Sequence, residues 1–446
     1  MTARTGHHAG LDPAAVRRRV AEVVRALQPR PVPVGGAAHD GAAHDGAARD
    51  GAAGTVLAAT LWARNPLPAF DCSAMDGYAV RGPGPWRLLG STLAGDPPAA
   101  PLPDGGAVAV ATGAALPDGC DGVLRTEDAV TAGDETVGVE TVGVEIIGLA
   151  PHGRDVRRRG EECAPWTPVL PAGTVLTPAA LALAAALGHD TLLVHDRPRV
   201  ALLVTGRELL TAGDPGAGRI RDALGPLLVP AVRDAGGCPL VLRLLGDDSA
   251  VLAAALAGCR GSGVDLVVST GGTADGPADG VRAALATAGA ALVVDGLATR
   301  PGRPTLLSLL PDGTPVLSLP GNPLAALVGF VVVGMPVLAA LRAAPPPAAC
   351  RARLVTGLSA HPSSIRVVPV RRAAAGAGAP AAALPTGHDG SANLRGAALA
   401  DGLALVPPGD DLPAGAEVDV LDLPGTAPAW CRLRPGDRPA SGRLAS

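Results

Sequence analysis

Aromatic residues are scarce, at 2% of 446 residues, with a single tyrosine and two phenylalanines. A sizeable core is still available, because hydrophobic residues reach 48%, carried by Ala, Leu and Val. Positive charge is not in excess. The formal net charge is −4, which excludes the basic field that holds nucleic acid through counterion release. The seven cysteines are odd in number and include no Cys-x-x-Cys pair. That argues against a disulfide framework or a zinc site and for a reducing cytoplasm. No apolar signal segment follows Met1. The longest apolar stretch, Leu324–Leu341, is interrupted by Gly329, Gly334 and Pro336. It is too short and broken for a membrane span, so a buried helix in a soluble cytoplasmic protein is expected. Neither a Walker A loop nor Gly-x-Gly-x-x-Gly occurs, which weakens the usual nucleotide hydrolases and dehydrogenases.

What is present divides the chain. Residues 11–28 predict an amphipathic helix opened by Leu11-Asp12-Pro13. Three near-identical His/Arg-Asp-Gly-Ala-Ala units fill a low-complexity insert at 35–54. His39 and His44 lie in it, but Gly and Ala cannot fix a coordination geometry, and a solvated loop is expected. From about 75 to 175 short β-like runs alternate with Gly, Pro and Asp. From 197 to 345 the texture becomes alternating strand and helix, the doubly wound α/β pattern. A Pro-rich linker near 344–349 leads to short strands over 350–425, a small β domain, and then to a tail at 426–446.

The α/β segment carries four loops at strand ends. They are Val204–Glu208, Gly246–Asp248, Ser269–Asp279 and Leu319–Pro323. Ligands of open α/β sheets bind at that edge. Ser269, Thr270, Gly271 and Gly272 offer hydroxyls and unhindered backbone N–H groups to a phosphate. Carboxylates at 208, 247, 248, 275 and 279 converge on the same edge, and beside phosphates they imply a divalent cation, most often Mg²⁺. Arg300-Pro301-Gly302-Arg303-Pro304 is a stiff, doubly cationic loop suited to anions. Asp76-Gly77, read alone, fits a hairpin turn.

Pro66-Leu67-Pro68-Ala69-Phe70-Asp71-Cys72-Ser73-Ala74-Met75-Asp76-Gly77-Tyr78-Ala79 resembles the signature of the molybdopterin molybdenumtransferases, the MoeA and gephyrin E-domain family. So do Ala111–Ala114, Val156–Glu162, the Ser-Thr-Gly-Gly loop, Arg300–Pro304 and Leu319–Pro323, all in the family's order. The resemblance covers about residues 11–425. It implies β-rich N-terminal domains over 11–196, a central doubly wound α/β molybdopterin-binding domain over 197–345, and a C-terminal β-barrel over 350–425. It implies an elongated homodimer whose cleft lies between the α/β domain of one subunit and the N-terminal region of the other. It implies a transferase that takes adenylylated molybdopterin and molybdate, releases AMP and delivers molybdenum, with Mg²⁺ involved and a molybdopterin adenylyltransferase as a candidate partner.

By the same resemblance Asp76, Thr112, Glu162, Glu208, Asp247 and Asp279 are catalytic, and Glu208, Asp247 and Asp279 hold the metal. Ser269, Thr270, Gly271, Gly272, Arg300, Arg303, Pro320, Gly321, Asn322, Pro323 and Ser391 bind the substrate. Gly77 would let the backbone come close, and Tyr78 would anchor the turn. Cys72 stands where the family more often has asparagine, and is expected to be a packed small residue. Arg207 replaces an acid. Leu224 falls in the family's Asp-x-Asn, Gly296 where it has lysine, and Ala325 where it has serine. These departures keep a second reading open: a catalytically impaired paralogue that binds molybdopterin or a partner molybdoenzyme. A molybdopterin adenylyltransferase would share only the α/β domain, which leaves the Asp76 signature and the C-terminal β region without a role.

Overall fold

The computed structural model describes residues 10–35, 51–132, 144–273, 280–373 and 381–426. The 36–50 part of the insert, with His39 and His44, lies outside them, as do Asp275 and Asp279.

The first helix is Pro13–Val23, shorter than the periodicity predicts. Asp12 caps it by accepting from the Ala15 N–H at 2.7 Å, and Pro13 occupies the first turn, where no N–H is needed. Its buried Val16 and Val20 join the core of the central α/β segment rather than that of the neighbouring β sheets. Beyond it Arg30–Pro33, Thr191–His195 and Val56–Leu57 form an antiparallel three-stranded sheet. A separate six-stranded sheet runs in the order Gly122–Arg125, Gly77–Val80, Gly106–Val110, Trp86–Thr92, Glu145–Ile147, Val130–Ala132.

The central sheet has six strands in the order Cys238–Leu245, Arg199–Thr205, Leu266–Thr270, Pro315–Leu319, Leu306–Leu309, Ala291–Asp295. Arg199–Thr205 is a continuous apolar run because it is buried on both faces between parallel neighbours. The sheet is mixed rather than purely parallel. Leu306–Leu309, which sequence patterning did not separate from its surroundings, runs antiparallel and turns back through Pro311–Thr314 into Pro315–Leu319. The helices Leu224–Asp234, Ser249–Cys259, Val281–Thr287 and Pro323–Leu341 cover it. The last spans 19 residues with a π-turn at Phe330–Gly334, and is the one described helix long and apolar enough to cross a membrane. Its apolar window is 89% buried inside the protein, so it is a core helix.

Cys350–Leu354, Ile365–Ala373, Ala382–Pro385, Gly402–Val406 and Glu417–Asp422 close into a five-stranded barrel, because Ile365–Ala373 pairs on both its edges. Thr299–Arg300 joins the barrel in parallel beside Ile365–Arg366. This pairing ties the basic loop of the α/β segment to the C-terminal domain. Cys72, Cys120, Cys163, Cys238 and Cys259 are free thiols, but Cys350 is disulfide-bonded, so the expectation of a fully reduced set does not hold for it.

Candidate functional site

The signature segment crosses between two sheets. Cys72–Ser73 pairs with Val156–Arg157, whereas Gly77–Val80 lies between Gly106–Val110 and Gly122–Arg125. Ser73 to Asp76 therefore form a crossing, and the hairpin reading of Asp76-Gly77 is corrected. Gly77 is required by close approach: a Cβ there would stand 2.1 Å from the Leu124 carbonyl oxygen. The approaching group is the neighbouring strand, not a ligand. Tyr78 lies in the strand and packs beside Val80, Trp86 and Leu124 rather than in the turn. Cys72 is buried, as a packed residue should be, and burial pushes its thiol pKa up.

Asp76 is exposed, and its carboxylate accepts twice from one residue: from the Thr112 N–H at 2.6 Å and the Thr112 hydroxyl at 2.9 Å. The backbone bond, followed by the hydroxyl, holds the carboxyl below its ordinary range. Asp76 is thus a fixed anion on the surface. Nearby, the Arg158 guanidinium and the Arg159 N–H both donate to Asp71 at 2.7 Å. They lower its pKa, the Arg159 backbone bond contributing most. Glu162 is exposed on the same loop, its N–H bonded to the Leu67 carbonyl.

At the carboxyl edge of the central sheet the predicted loops form a continuous line. The Arg207 N–H donates to Asp247 at 3.3 Å, so Glu208 and Asp247 flank one turn. The Thr205 hydroxyl donates to the Thr270 carbonyl at 2.6 Å. Gly271 has φ +88 and donates to the Leu319 carbonyl, and a Cβ on Gly321 would lie 3.6 Å from the Gly271 Cα. Any side chain at 271 would meet the Thr205 hydroxyl at 2.6 Å. Asn322 reaches Ser391 at 3.5 Å, and the Ala325 N–H donates to the Ser391 carbonyl at 3.1 Å. Pro323 fills the first turn of the helix that follows.

Several expected roles look different at this resolution of detail. The Ser269 hydroxyl is buried and donates to the Ser318 hydroxyl at 2.9 Å, so it braces adjacent strands and is not offered to a phosphate. The Thr270 hydroxyl is buried beside the glycine turn and has no partner among the described residues. Asp248 caps the helix Ser249–Cys259 by accepting from Ala250. Leu224 is core, and Asp222 caps its helix through the Leu224 and Gly225 N–H groups.

The line of loops ends in a cleft of about 510 Å³ between the α/β segment and the barrel. Arg300, Arg303, Pro320, Asn322 and Ser391 line it, five of the residues expected to bind substrate. Ala325 lines it too, at the base of its helix. His361, Arg366 and Asp389 line it as well. Sequence reasoning gave none of these three a role. Arg366 joins Asp389 through Nε at 3.1 Å and Nη2 at 2.6 Å, and Ser359 through Nη1. The pairing of Thr299–Arg300 with Ile365–Arg366 brings Arg366 to the basic loop, and no local signal marked it. Asp76, Thr112, Glu162, Glu208 and Asp247 are not among the cleft's lining residues.

The donors at the Arg207 turn suit Mg²⁺, which is commonly held by one or two carboxylates together with substrate phosphates. Glu208 and Asp247 could supply two hard oxygen ligands there. Among the described residues no cluster of three metal-binding side chains occurs.

Models of protein families match along nearly the whole chain. The MoeA N-terminal region (domain I and II) matches residues 15–188, a probable molybdopterin binding domain 201–340, and the MoeA C-terminal region (domain IV) 351–423. The chain is 34% identical over 427 residues to molybdopterin molybdenumtransferase 2 of Mycobacterium tuberculosis, covering 91% of this chain and 98% of that one. It is 35% identical over 301 residues to the molybdopterin molybdenumtransferase of Synechococcus elongatus, covering 64% and 73%. The crystal structure of the molybdopterin biosynthesis MoeA protein from Pyrococcus horikoshii superposes with a TM-score of 0.70 at 26% identity, over 93% of this chain and 99% of that one. The fold, the ordered motifs and these full-length matches agree, and the chain belongs to the MoeA family of molybdopterin molybdenumtransferases.

Proposed function

We propose that this chain inserts molybdenum into molybdopterin in molybdenum cofactor biosynthesis, taking adenylylated molybdopterin and molybdate and releasing AMP. The observation that carries the reading is the unbroken line of loops from Asp247 through Thr205, Gly271 and Gly321 to the arginine-lined cleft at Ser391. Substrate and oxyanion are both negatively charged. Arg300 and Arg303 offset that charge on the cleft wall, and Asn322 and Ser391 add neutral polar groups. The glycine turn lets the backbone approach a phosphate without a side chain between them. Glu208 and Asp247 would hold Mg²⁺, which supplies charge neutralisation at the phosphate linkage when bound, and Asp279 is assigned to the same set by resemblance. No protein nucleophile is required.

The active assembly is a homodimer in this reading. Asp76 and Thr112 form a fixed, exposed pair outside the cleft of their own chain. A second copy can present that pair to the cleft from the other side. The test is direct. The purified protein is incubated with adenylylated molybdopterin, Mg²⁺ and molybdate, and AMP and molybdenum cofactor are quantified. Both products are expected, and Asp76→Ala should abolish both. Substrate binding without AMP release would contradict the reading and favour a paralogue that kept the cleft and lost the reaction.

A further inference from the structure

His361 lines the cleft from the barrel, together with Arg300, Arg303 and Asn322. Its Nδ1 lies 3.2 Å from the Ser363 N–H and accepts from it. In a neutral imidazole the nitrogen that accepts is the bare one, so the proton resides on Nε2. Nε2 has no partner among the described residues. The loop bearing it is not loose. The Gly409 N–H donates to the His361 carbonyl at 3.1 Å, and the Ala360 N–H donates to Asp411 at 2.8 Å.

Arg366 has a different part to play. Its Nε and Nη2 are engaged by Asp389, and its Nη1 by Ser359, two residues before His361. Its charge is largely offset by Asp389, and its planar fork fastens the 359–363 loop to the 389–391 loop. Arg366 thereby sets the positions of both His361 and Ser391. Among the described residues, the imidazole of His361 is a barrel side chain at the cleft whose N–H is unengaged.

We infer that His361 is a specificity-determining residue of this cleft, its Nε2–H donating to an oxyanion that Arg300 and Arg303 attract. The inference rests on the cleft being the oxyanion site and adds a residue to it. A tetrahedral oxyanion presents acceptors on all sides. Arg300 and Arg303 satisfy some of them, and a further donor from the barrel rewards an anion that reaches both.

The test uses tungstate as an unreactive oxyanion probe, measured by calorimetry on the full-length protein. His361→Ala should weaken binding roughly ten-fold or more, as loss of a hydrogen bond to a charged group does. His361→Gln keeps an amide donor and should retain affinity near the wild-type value. Thermal unfolding of both variants shows whether the loop survives. Arg300→Ala/Arg303→Ala is the control for the cleft itself. If that control abolishes binding while His361→Ala binds as wild type does, the role of His361 is overturned and the cleft reading stands. If the wild-type protein binds no tungstate, the cleft reading fails and the inference with it.

Discussion

At the residue scale, Asp76 and Thr112 act as a unit. Two donors from one threonine converge on a single carboxylate oxygen, at 2.6 and 2.9 Å. The other oxygen keeps its full acceptor capacity toward solvent or substrate. The depressed pKa means that Asp76 stays ionised below the usual carboxylate range. Any stability from this pair is present above the unfolded-state value and is lost as pH falls through the folded-state value. Thr112→Ala removes the hydroxyl but keeps the N–H, which is the larger cause. The pKa of Asp76 should therefore rise part of the way to its ordinary value, read from the pH titration of its carboxyl carbon by NMR. No change would show that the hydroxyl bond is not formed in solution. The pairing of Asp76 with Thr112 was legible only as two matched motifs, because 36 residues separate them. Nothing local in either motif says that they touch. Ser269 shows the opposite case. Its motif predicted a phosphate-binding hydroxyl, and strand pairing turned that hydroxyl toward Ser318 instead.

Among elements, the strand Gly77–Val80 is pinned on both edges, and its first residue touches the next strand's backbone. A methyl group at Gly77 would meet the Leu124 carbonyl at 2.1 Å, with backbone that cannot move aside as a side chain can. Gly77→Ala should cost about 3 kcal/mol, the upper part of the overpacking range, seen as a lower midpoint in denaturant. It should also shift Asp76, the adjacent residue, and weaken activity. Wild-type stability in this variant would mean that the two strands are further apart than described. Elements were the most legible level. Continuous apolar runs gave the buried parallel strands, and helical periodicity gave the helices that cover them. The exception, Leu306–Leu309, has the same apolar texture as a helix segment or a parallel strand. Its direction is set by the tight turn at Pro311–Thr314 and by pairing to a neighbour, which composition does not encode.

Across the whole molecule, the join between the N-terminal region and the α/β segment is held by a buried guanidinium. Arg342, 8% exposed, donates through Nη1 to the Ala235 carbonyl at 3.1 Å and through Nη2 to the Gly54 carbonyl at 2.8 Å. Burial lowers its pKa, and the nearby charge of Arg197 adds to that. Arg342→Ala should destabilise the chain by about 2 kcal/mol, the scale of a hydrogen bond to a charged group, with Arg342→Lys failing to restore it because one ammonium cannot span both carbonyls. Thermal unfolding of the two variants checks this, and an unchanged midpoint for Arg342→Ala would refute it. The relation between copies is the level that sequence carries least, since pairing of a surface with itself leaves no periodic mark. Yet it governs the proposed function, in which Asp76 would serve the cleft of a second copy. Mixing Asp76→Ala with Arg300→Ala/Arg303→Ala, after unfolding and refolding together, gives mixed dimers with one complete site each. AMP release from adenylylated molybdopterin should be near zero for either variant alone and recover to about a quarter of wild type in the mixture, as random assortment of a two-fold dimer requires. A mixture as inactive as its parents, beside an active wild-type protein, would contradict the account.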